Sequence, residues 1–324
     1  MEAFLLLREI VRPSGYPPLP FLNWSGYDKV VFMNDTSLDI YYEIEGTYDG
    51  KDFYYSLTIN GYNGLLIKSE YLNLGNLKIE RNLNKLTIEK NSFDIPQNLS
   101  MFSLVQSYGP ITFSNLPLTQ PDVSLMGFLS KFINDIIVLR IIPENAISPV
   151  PFNMPMMLRI DGYGLPKILQ NLPMHEAVSM FLERFNLTLT PIITDDGKIK
   201  LNVKEKVDGN EIFYPANSLP SGLVKMLTIM VTVYMLKHSP IVIDEVENSL
   251  HVELLGRLID LIRESEPQFI ITTHSPAIVD LINPEDVILL ERDKGETKAS
   301  RLQNVKELKK KLEELGLTLS EWIF

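Results

Sequence analysis

Apolar and polar side chains alternate with a period of two between about residue 29 and residue 90. Two of these alternating runs, 38–45 and 53–59, flank a glycine-containing turn segment, 46–51, and this arrangement predicts a hairpin. Further short alternating runs follow, so we predict an antiparallel meander in this part of the chain. Before it, the apolar residues of 4–11 recur at the spacing of one helix face and predict an N-terminal helix.

A second pattern, in which strands alternate with helices, begins near residue 219. The runs 241–243 and 269–272 are continuously apolar, which is expected of strands buried on both faces of a parallel sheet. Helical patterns separate and follow these runs, and the last helix is predicted over 305–315. The combination predicts an α/β fold with an antiparallel β lobe and a parallel-sheet C-terminal lobe.

The middle of the chain joins these two patterns. Residues 122–142 mix a helical pattern with an apolar strand at 136–142, and prolines crowd residues 143–155. A short helix over 175–186 and a hairpin over 187–203 are predicted next. We predict one domain over 1–324, made of an N-terminal lobe at 1–142, a short Pro-rich and helical insertion at 143–190 and a C-terminal lobe at 191–324.

Composition narrows the class of protein. The chain contains no cysteine, which excludes disulfides, thiolate zinc sites and cysteine nucleophiles and fits a reducing cytoplasm. No apolar run approaches the length of a membrane span, and the apolar N-terminus is interrupted by charges at Glu2, Arg8 and Glu9. The formal net charge of −11 does not support a surface built for nucleic acid, although a local basic groove is still allowed. We expect a cytoplasmic protein without a membrane segment.

The strand at 241–243 runs directly into two carboxylates, Asp244 and Glu245. Ligands of open α/β sheets bind at the carboxyl ends of the strands, which is where these side chains are expected. There Asp244 would hold a magnesium ion through water, and Glu245 would orient or deprotonate a water molecule that attacks a terminal phosphate. The alternative is a strand end with two solvated acids.

Two further segments carry candidate chemistry. Ser221 and Gly222 open a helix, with Ser221 predicted as its N-cap, and the free N–H groups of a helix N-terminus can bind an anion. His274 follows the second apolar strand, where its side chain could hydrogen-bond a γ-phosphate. A capped core helix and a locally packed histidine are the corresponding structural alternatives.

The order and spacing of these three elements resemble the catalytic half of ABC-type ATPases of the AAA family. In particular, they resemble the soluble branch that includes the structural-maintenance-of-chromosomes (SMC), RecF and overcoming-lysogenization-defect (OLD) proteins. The resemblance covers residues 217–290 and implies the P-loop NTPase fold, bound ATP and Mg²⁺, and a homodimer or an ATPase partner subunit. It implies an ABC signature motif at 219–222, a Walker B strand at 241–245 with Asp244 and Glu245, a D-loop with Ser249 and His251, and a switch histidine at His274.

The phosphate-binding Walker A loop of that family, Gly-x-x-x-x-Gly-Lys-Ser/Thr, does not occur in the sequence. Residues 1–8 resemble the helix that normally begins inside this loop, so the chain resembles a family member that starts just after it. Hydrogen bonds to charged groups are worth about 1.5–3 kcal/mol each, so the loss of three predicts poor ATP binding by residues 1–324.

Three functions remain open at this point. The first is an ATP-hydrolysing enzyme of the RecF/OLD-like class whose Walker A motif lies upstream or in another polypeptide. The second is a catalytically inactive module that donates its signature helix, with Ser221 and Gly222, to a competent partner. The third is a nuclease with Asp244, Glu245 and Glu247 as metal ligands. Residues 143–186 lack heptads, which excludes a long coiled-coil arm there.

Overall fold

A computed structural model describes residues 1–11, 17–48, 50–88, 90–104, 127, 133, 135–236 and 240–324. Contacts between residues divide the chain into two compact units, Met1–Ile136 and Ile137–Phe324. The helical pattern predicted within 122–135 lies almost entirely outside the described residues. None of the helices within the described ranges is both long and apolar enough to cross a membrane.

The first unit combines one helix with an antiparallel sheet. Helix α1 spans Glu2–Val11, and the strands are β1 (Ile40–Tyr48), β2 (Lys51–Asn60), β3 (Leu66–Leu74), β4 (Leu77–Asn82), β5 (Lys85–Ile88) and β6 (Asn91–Asp94). The strands pair with their sequence neighbours in the order β1-β2-β3-β4-β5-β6, every pair antiparallel. The predicted N-terminal helix, hairpin and meander are confirmed.

The core of the first unit follows from the period-two pattern. Alternate residues of β2 are buried, and α1 presents its apolar stripe to the same core. Each large apolar side chain removed from water contributes roughly 1.5–3 kcal/mol. The core-facing side chains of β2 and α1 are Phe53, Tyr55, Leu57 and Ile59 on the strand, with Leu6, Leu7, Ile10 and Val11 on the helix.

The second unit begins with strand β7 (Ile137–Leu139). Its other strands are β8 (Val150–Pro151), β9 (Leu187–Ile193), β10 (Lys198–Val207), β11 (Asn210–Pro215), β12 (Ile241–Ile243), β13 (Phe269–Ile271), β14 (Ile288–Asp293) and β15 (Glu296–Arg301). Its helices are α2 (Pro143–Ala146), α3 (Leu165–Asn171), α4 (Glu176–Glu183), α5 (Ser221–Val231), α6 (Val252–Glu264), α7 (Pro276–Leu281), α8 (Val305–Leu315) and α9 (Leu319–Ile323).

A three-stranded parallel sheet organises this unit, in the order β13-β12-β7. Strand β12 is buried along its whole length, as its continuous apolar run predicted, whereas Ile270 of β13 is 36% exposed. Strands β9, β10, β11 and β8 form an antiparallel sheet, and β14 pairs with β15. The predicted α/β class, with an antiparallel lobe and a lobe that contains a parallel sheet, is confirmed.

Local differences from the sequence-based expectations fall in the middle of the chain. The strand predicted over 136–142 is shorter in the structure and consists of β7 alone. Its neighbour β12 has only three residues, so only three residues of the apolar run find a pairing partner there. The proline-dense stretch that follows is not wholly irregular, since Pro143 starts the short helix α2. The helix predicted over 175–186 is α4, and His175 is its N-cap, with Nδ1 accepting a hydrogen bond from the Ala177 N–H.

Candidate functional site

The candidate site lies at the carboxyl ends of the three parallel strands, all within the second unit. Arg140 directly follows β7, Asp244 follows β12 and Thr272 follows β13. Parallel strands end at the same edge of a sheet, so these three side chains meet although they are distant in sequence. The ends are also joined through the backbone, because the Asp244 N–H donates to the Leu139 carbonyl at 2.8 Å.

Asp244 is held through both of its carboxylate oxygens. Oδ2 accepts from Nε of Arg140 at 2.7 Å and lies 2.7 Å from a terminal guanidinium nitrogen, while Oδ1 accepts from Thr272 Oγ1 at 2.7 Å. Partial burial acts to raise the pKa of Asp244, but the hydrogen bonds from Thr272 and Arg140 outweigh it and lower this pKa below its usual value. Asp244 is therefore ionised and hydrogen-bonded to the side chains of Arg140 and Thr272.

Glu245 occupies a sharp turn immediately after the strand. Its φ of 46° is in the left-handed region, which an ordinary residue adopts only where its surroundings enforce it. Its N–H donates to Thr272 Oγ1 at 2.9 Å, and its exposed carboxylate accepts from Asn248 Nδ2 at 2.7 Å. One threonine hydroxyl thus bridges Asp244 and Glu245.

The loop after β13 is attached to the loop after β12 through Glu247. The His274 N–H donates to Glu247 Oε1 at 2.7 Å, whereas the buried Oε2 of Glu247 has no hydrogen-bond partner. The His274 side chain is exposed. The structure therefore fixes the backbone of His274 beside the acidic loop and leaves its imidazole at the surface.

Helix α5 packs its first turn against the same loop. Ser221 is the first helical residue and Pro220 stands at the N-cap position, so the prediction of Ser221 as N-cap is wrong; proline fixes the entry to the helix but its side chain offers no acceptor. A Cβ on the buried Gly222 would lie only 2.5 Å from the Ser249 carbonyl oxygen. Glycine is required here by the close approach of two backbones.

Lys225, one turn further along α5, joins this helix to the loop. Its side chain is 1% exposed, and Nζ donates to the Glu245 carbonyl at 2.8 Å and to the Asn248 carbonyl at 3.0 Å. Burial lowers the pKa of Lys225 to about 8, against the opposing effect of Glu247 and the other loop carboxylates. The helix and the acidic loop are therefore tied by a buried cation.

The last two candidate residues, Ser249 and His251, end this loop at the surface. Ser249 has a φ of 66°, and its side chain is exposed. His251 is the N-cap residue of α6 and is exposed, with no capping hydrogen bond from its side chain. The structure thus gathers Gly222, Asp244, Glu245 and Ser249 around one loop and leaves the imidazoles of His251 and His274 in solvent.

Asp244 is the one carboxylate predicted to serve a magnesium ion, and it would do so through bound water. Both of its oxygens accept hydrogen bonds, which a carboxylate oxygen with two lone pairs can combine with a further contact, and across the described ranges no three His, Cys, Asp or Glu side chains group as metal ligands. Asp244, Glu245 and Glu247 consequently do not form the three-carboxylate set that a nuclease mechanism would need. Each carboxylate instead has its own protein partner.

Four residues of the site had no assigned role in the sequence analysis: Arg140, Lys225, Asn248 and Thr272. The sequence did contain a signal for Lys225, because it is the one charged residue in the mostly apolar segment 223–231. The structure buries this whole segment, including Lys225. Asn248 lies inside the predicted D-loop, so its position was predicted although its role was not. No local pattern marks Arg140, which is 104 positions away from its partner.

Solved structures similar to this chain include SMC heads. An SMC head bound to the C-terminal winged-helix domain of ScpA is 13% identical, with 95% of this chain and 88% of that chain covered and a TM-score of 0.46. An SMC ATPase from work on ATP-driven dimerization and DNA-stimulated activation is 22% identical over 43% of this chain and 91% of that chain, TM-score 0.31. A third structure is an SMC head with an extended coiled coil, bound to the C-terminal domain of ScpA from Pyrococcus furiosus. It is 20% identical, with 43% of this chain and 38% of that chain covered and a TM-score of 0.32.

No curated protein matches this chain. One family model matches residues 1–280, and its description is "AAA domain, putative AbiEii toxin, Type IV TA system". This match confirms the predicted assignment to the AAA-family ATPases. With most of its 324 residues covered, the chain belongs to this family of AAA-domain proteins.

Proposed function

We propose that this chain is the catalytic half of an ABC-type ATPase of the RecF/OLD-like class. The observation that carries the proposal is the loop 244–249, which places Asp244 and Glu245 at the carboxyl end of the parallel sheet and packs against Gly222 of α5. Family membership supports ATP as the substrate, and the strand-end position is where nucleotides meet such sheets. The site residues assigned above are part of this proposal.

In this mechanism Glu245 accepts a proton from the water that attacks the terminal phosphate of ATP. Asn248 orients the Glu245 carboxylate, Thr272 holds the backbone and Asp244 in place, and the exposed His274 is available to the terminal phosphate. Ser221, Gly222, Ser249 and His251 would contact nucleotide across a homodimer or a partner subunit, as the resemblance to ABC-type ATPases implies. A magnesium ion would be held through water by Asp244 and would offset the negative charge of the phosphates.

The phosphate-binding loop must come from outside residues 1–324 in this proposal, since the sequence contains no Walker A motif. The described part of the chain offers a place for it. Strand β13 pairs with β12 on one side there, and its half-exposed apolar Ile270 would be covered by a further strand. The source of that strand, upstream sequence or another polypeptide, is part of the proposal.

Glu245→Gln tests the proposal in the full protein that contains residues 1–324. We expect ATP turnover to fall roughly 10²–10⁴-fold, the usual contribution of a general base, while ATP binding persists. Phosphate release and calorimetric ATP binding are the measurements, and Glu266→Gln, an exposed glutamate between α6 and β13, is the matched control. Unchanged turnover in Glu245→Gln would refute Glu245 as the base.

A second function is favoured by the occupied state of Asp244. If the full protein neither binds nor hydrolyses ATP, we infer an inactive module that donates Ser221 and Gly222 to a competent ATPase partner. That module should raise the turnover of its partner, and Ser221→Glu, a change at the exposed first residue of α5, should abolish the stimulation. A stimulation that survives Ser221→Glu excludes this alternative.

A further inference from the structure

We propose that Lys225 is the positioning residue of Glu245, an inference that rests on the proposed function of Glu245 as the base. Lys225 touches no candidate substrate position. It acts through the backbone of the acidic loop, where its Nζ donates to the carbonyls of Glu245 and Asn248. These two carbonyls bracket the turn that carries Glu245.

The geometry of the loop explains why such an anchor is needed. Glu245 and Ser249 both have positive φ, at 46° and 66°, and neither is glycine. Residues held in this region are strained and persist only where surrounding contacts enforce them. Lys225 supplies two such contacts from inside the protein, whereas the Glu245 side chain is exposed.

The charge of Lys225 also matches its surroundings. Asp244, Glu245 and Glu247 all favour its charged form, and Glu247 has a buried oxygen without a hydrogen-bond partner. An apolar side chain at position 225 would remove the lysine donor from both carbonyls, of which that of Glu245 keeps the Asn248 N–H, and would leave three nearby carboxylates without this cation. The loop would then lose its attachment to α5 while β12 kept its pairing with β7 and β13.

A local measurement tests this role. The Asn248 and Leu250 N–H groups are bonded inside the loop, to the carbonyls of Glu245 and Glu247. In the full protein we expect Lys225→Met to speed amide hydrogen exchange of the 244–251 peptide roughly tenfold or more, the factor that corresponds to one lost hydrogen bond to a charged group. We also expect kcat for ATP to fall by a similar factor with little change in KM.

Two further variants separate positioning from general stability. Lys225→Arg keeps the charge and the donors and should retain slow exchange of the 244–251 peptide. Thr228→Val removes a buried hydrogen bond on the same helix, from Thr228 Oγ1 to the Val224 carbonyl, without touching the loop, and should also leave that exchange slow. Should Lys225→Met fail to fold, Lys225→Gln replaces it.

Each outcome decides the proposal. Faster exchange confined to 244–251 in Lys225→Met, and absent in Lys225→Arg and Thr228→Val, supports it. Unchanged exchange overturns it, as does a rise spread evenly over residues 137–324. If exchange rises locally but Glu245→Gln leaves turnover intact, the loop anchor stands and the proposed base fails, so the two failures are distinguishable.

Discussion

Each unit of the molecule contains an arginine–carboxylate pair, and the two pairs have opposite surroundings. In the first unit, Arg81 and Glu70 lie 3.5 Å apart with both side chains 0% exposed. In the second, the side chain of Arg140 is 54% exposed and that of Asp244 is 14% exposed, at a separation of 2.7 Å. The closer pair is thus the more exposed one, so the distance between the charged groups does not indicate how deeply a pair is buried.

The buried pair is hydrogen-bonded to several backbone groups and to one hydroxyl. Arg81 donates to the carbonyls of Leu83, Pro96 and Leu99, and Glu70 accepts from the Tyr55 hydroxyl and the Met101 N–H at 2.8 Å each. This network attaches the segment after β6 to the sheet. At Asp244, by contrast, the arginine side chain is about half exposed to solvent, so the ligand site proposed there is open on that side.

The largest expected effect is that of Arg81→Met on the first unit. Removal of one partner of a buried pair costs about 3–5 kcal/mol, because the other charge stays buried without compensation. The chain has one tryptophan in each unit, Trp24 and Trp322, so urea unfolding in a Trp322→Phe background reports the first unit. A loss below about 1 kcal/mol, the range of exposed pairs, would contradict the comparison.

Two controls complete this experiment. Lys68→Met breaks the exposed Lys68–Asp39 pair of the same unit and should cost no more than about 1 kcal/mol. The double variant Arg81→Met with Glu70→Gln removes the stranded charge and keeps an acceptor for Tyr55 and Met101, so it should recover part of the lost stability. An equal loss in the single and double variants would show that the carbonyl contacts, not the charge, dominate.

The buried pair also shows where sequence patterns stop being sufficient. Period-two alternation predicted the meander, but it cannot place Glu70 in the core. The register between β2 and β3 shifts at Thr58 and Ile59, and Lys68 is the extra residue on β3. Such a bulge moves all later side chains to the other face, so Glu70 points inward. The cause is a backbone irregularity that no residue pattern announces.

The candidate site likewise contains residues that the sequence predicted and residues that it did not predict. The sequence predicted the short strand β12, the carboxylates after it and the helix α5 that begins at Ser221, because these follow from local apolar runs and spacing. Arg140 and Lys225 were missed because their partners are set by sheet order and helix packing. A lysine in an apolar helix hints at a buried acceptor, but only the fold identifies the carbonyls of Glu245 and Asn248.

The pH dependence of stability should differ in sign between the two carboxylates. Burial raises the pKa of Glu70, so its contribution is most favourable at low pH and declines as pH rises above the ordinary glutamate value of about 4.3. The pKa of Asp244 is lowered despite partial burial, so its contribution is present above about 3.9, the ordinary aspartate value, and is lost as pH falls below it.

Urea unfolding as a function of pH can separate these contributions. The difference in unfolding free energy between the wild type and Glu70→Gln should shift in favour of the wild type as the pH falls. The difference between the wild type and Asp244→Asn should shift against the wild type over the acidic range. If both differences in unfolding free energy changed in the same direction as the pH falls, the pKa values of the two carboxylates would not be shifted in opposite directions.

The smallest expected effect on stability is that of Arg140→Gln. Since Arg140 is largely exposed, its loss should change the unfolding free energy of the second unit by only about 0–1 kcal/mol, measured through Trp322 in a Trp24→Phe background. The informative change is in the acid branch: without the guanidinium the pKa of Asp244 rises towards its ordinary value, so the stability that Asp244 loses on acidification is smaller than in the wild type. Arg292→Gln, on the exposed strand β14, should leave that branch in place. A cost of several kcal/mol for Arg140→Gln would instead make this pair a structural one like Arg81 and Glu70, and the open character of the site at Asp244 would be lost with it.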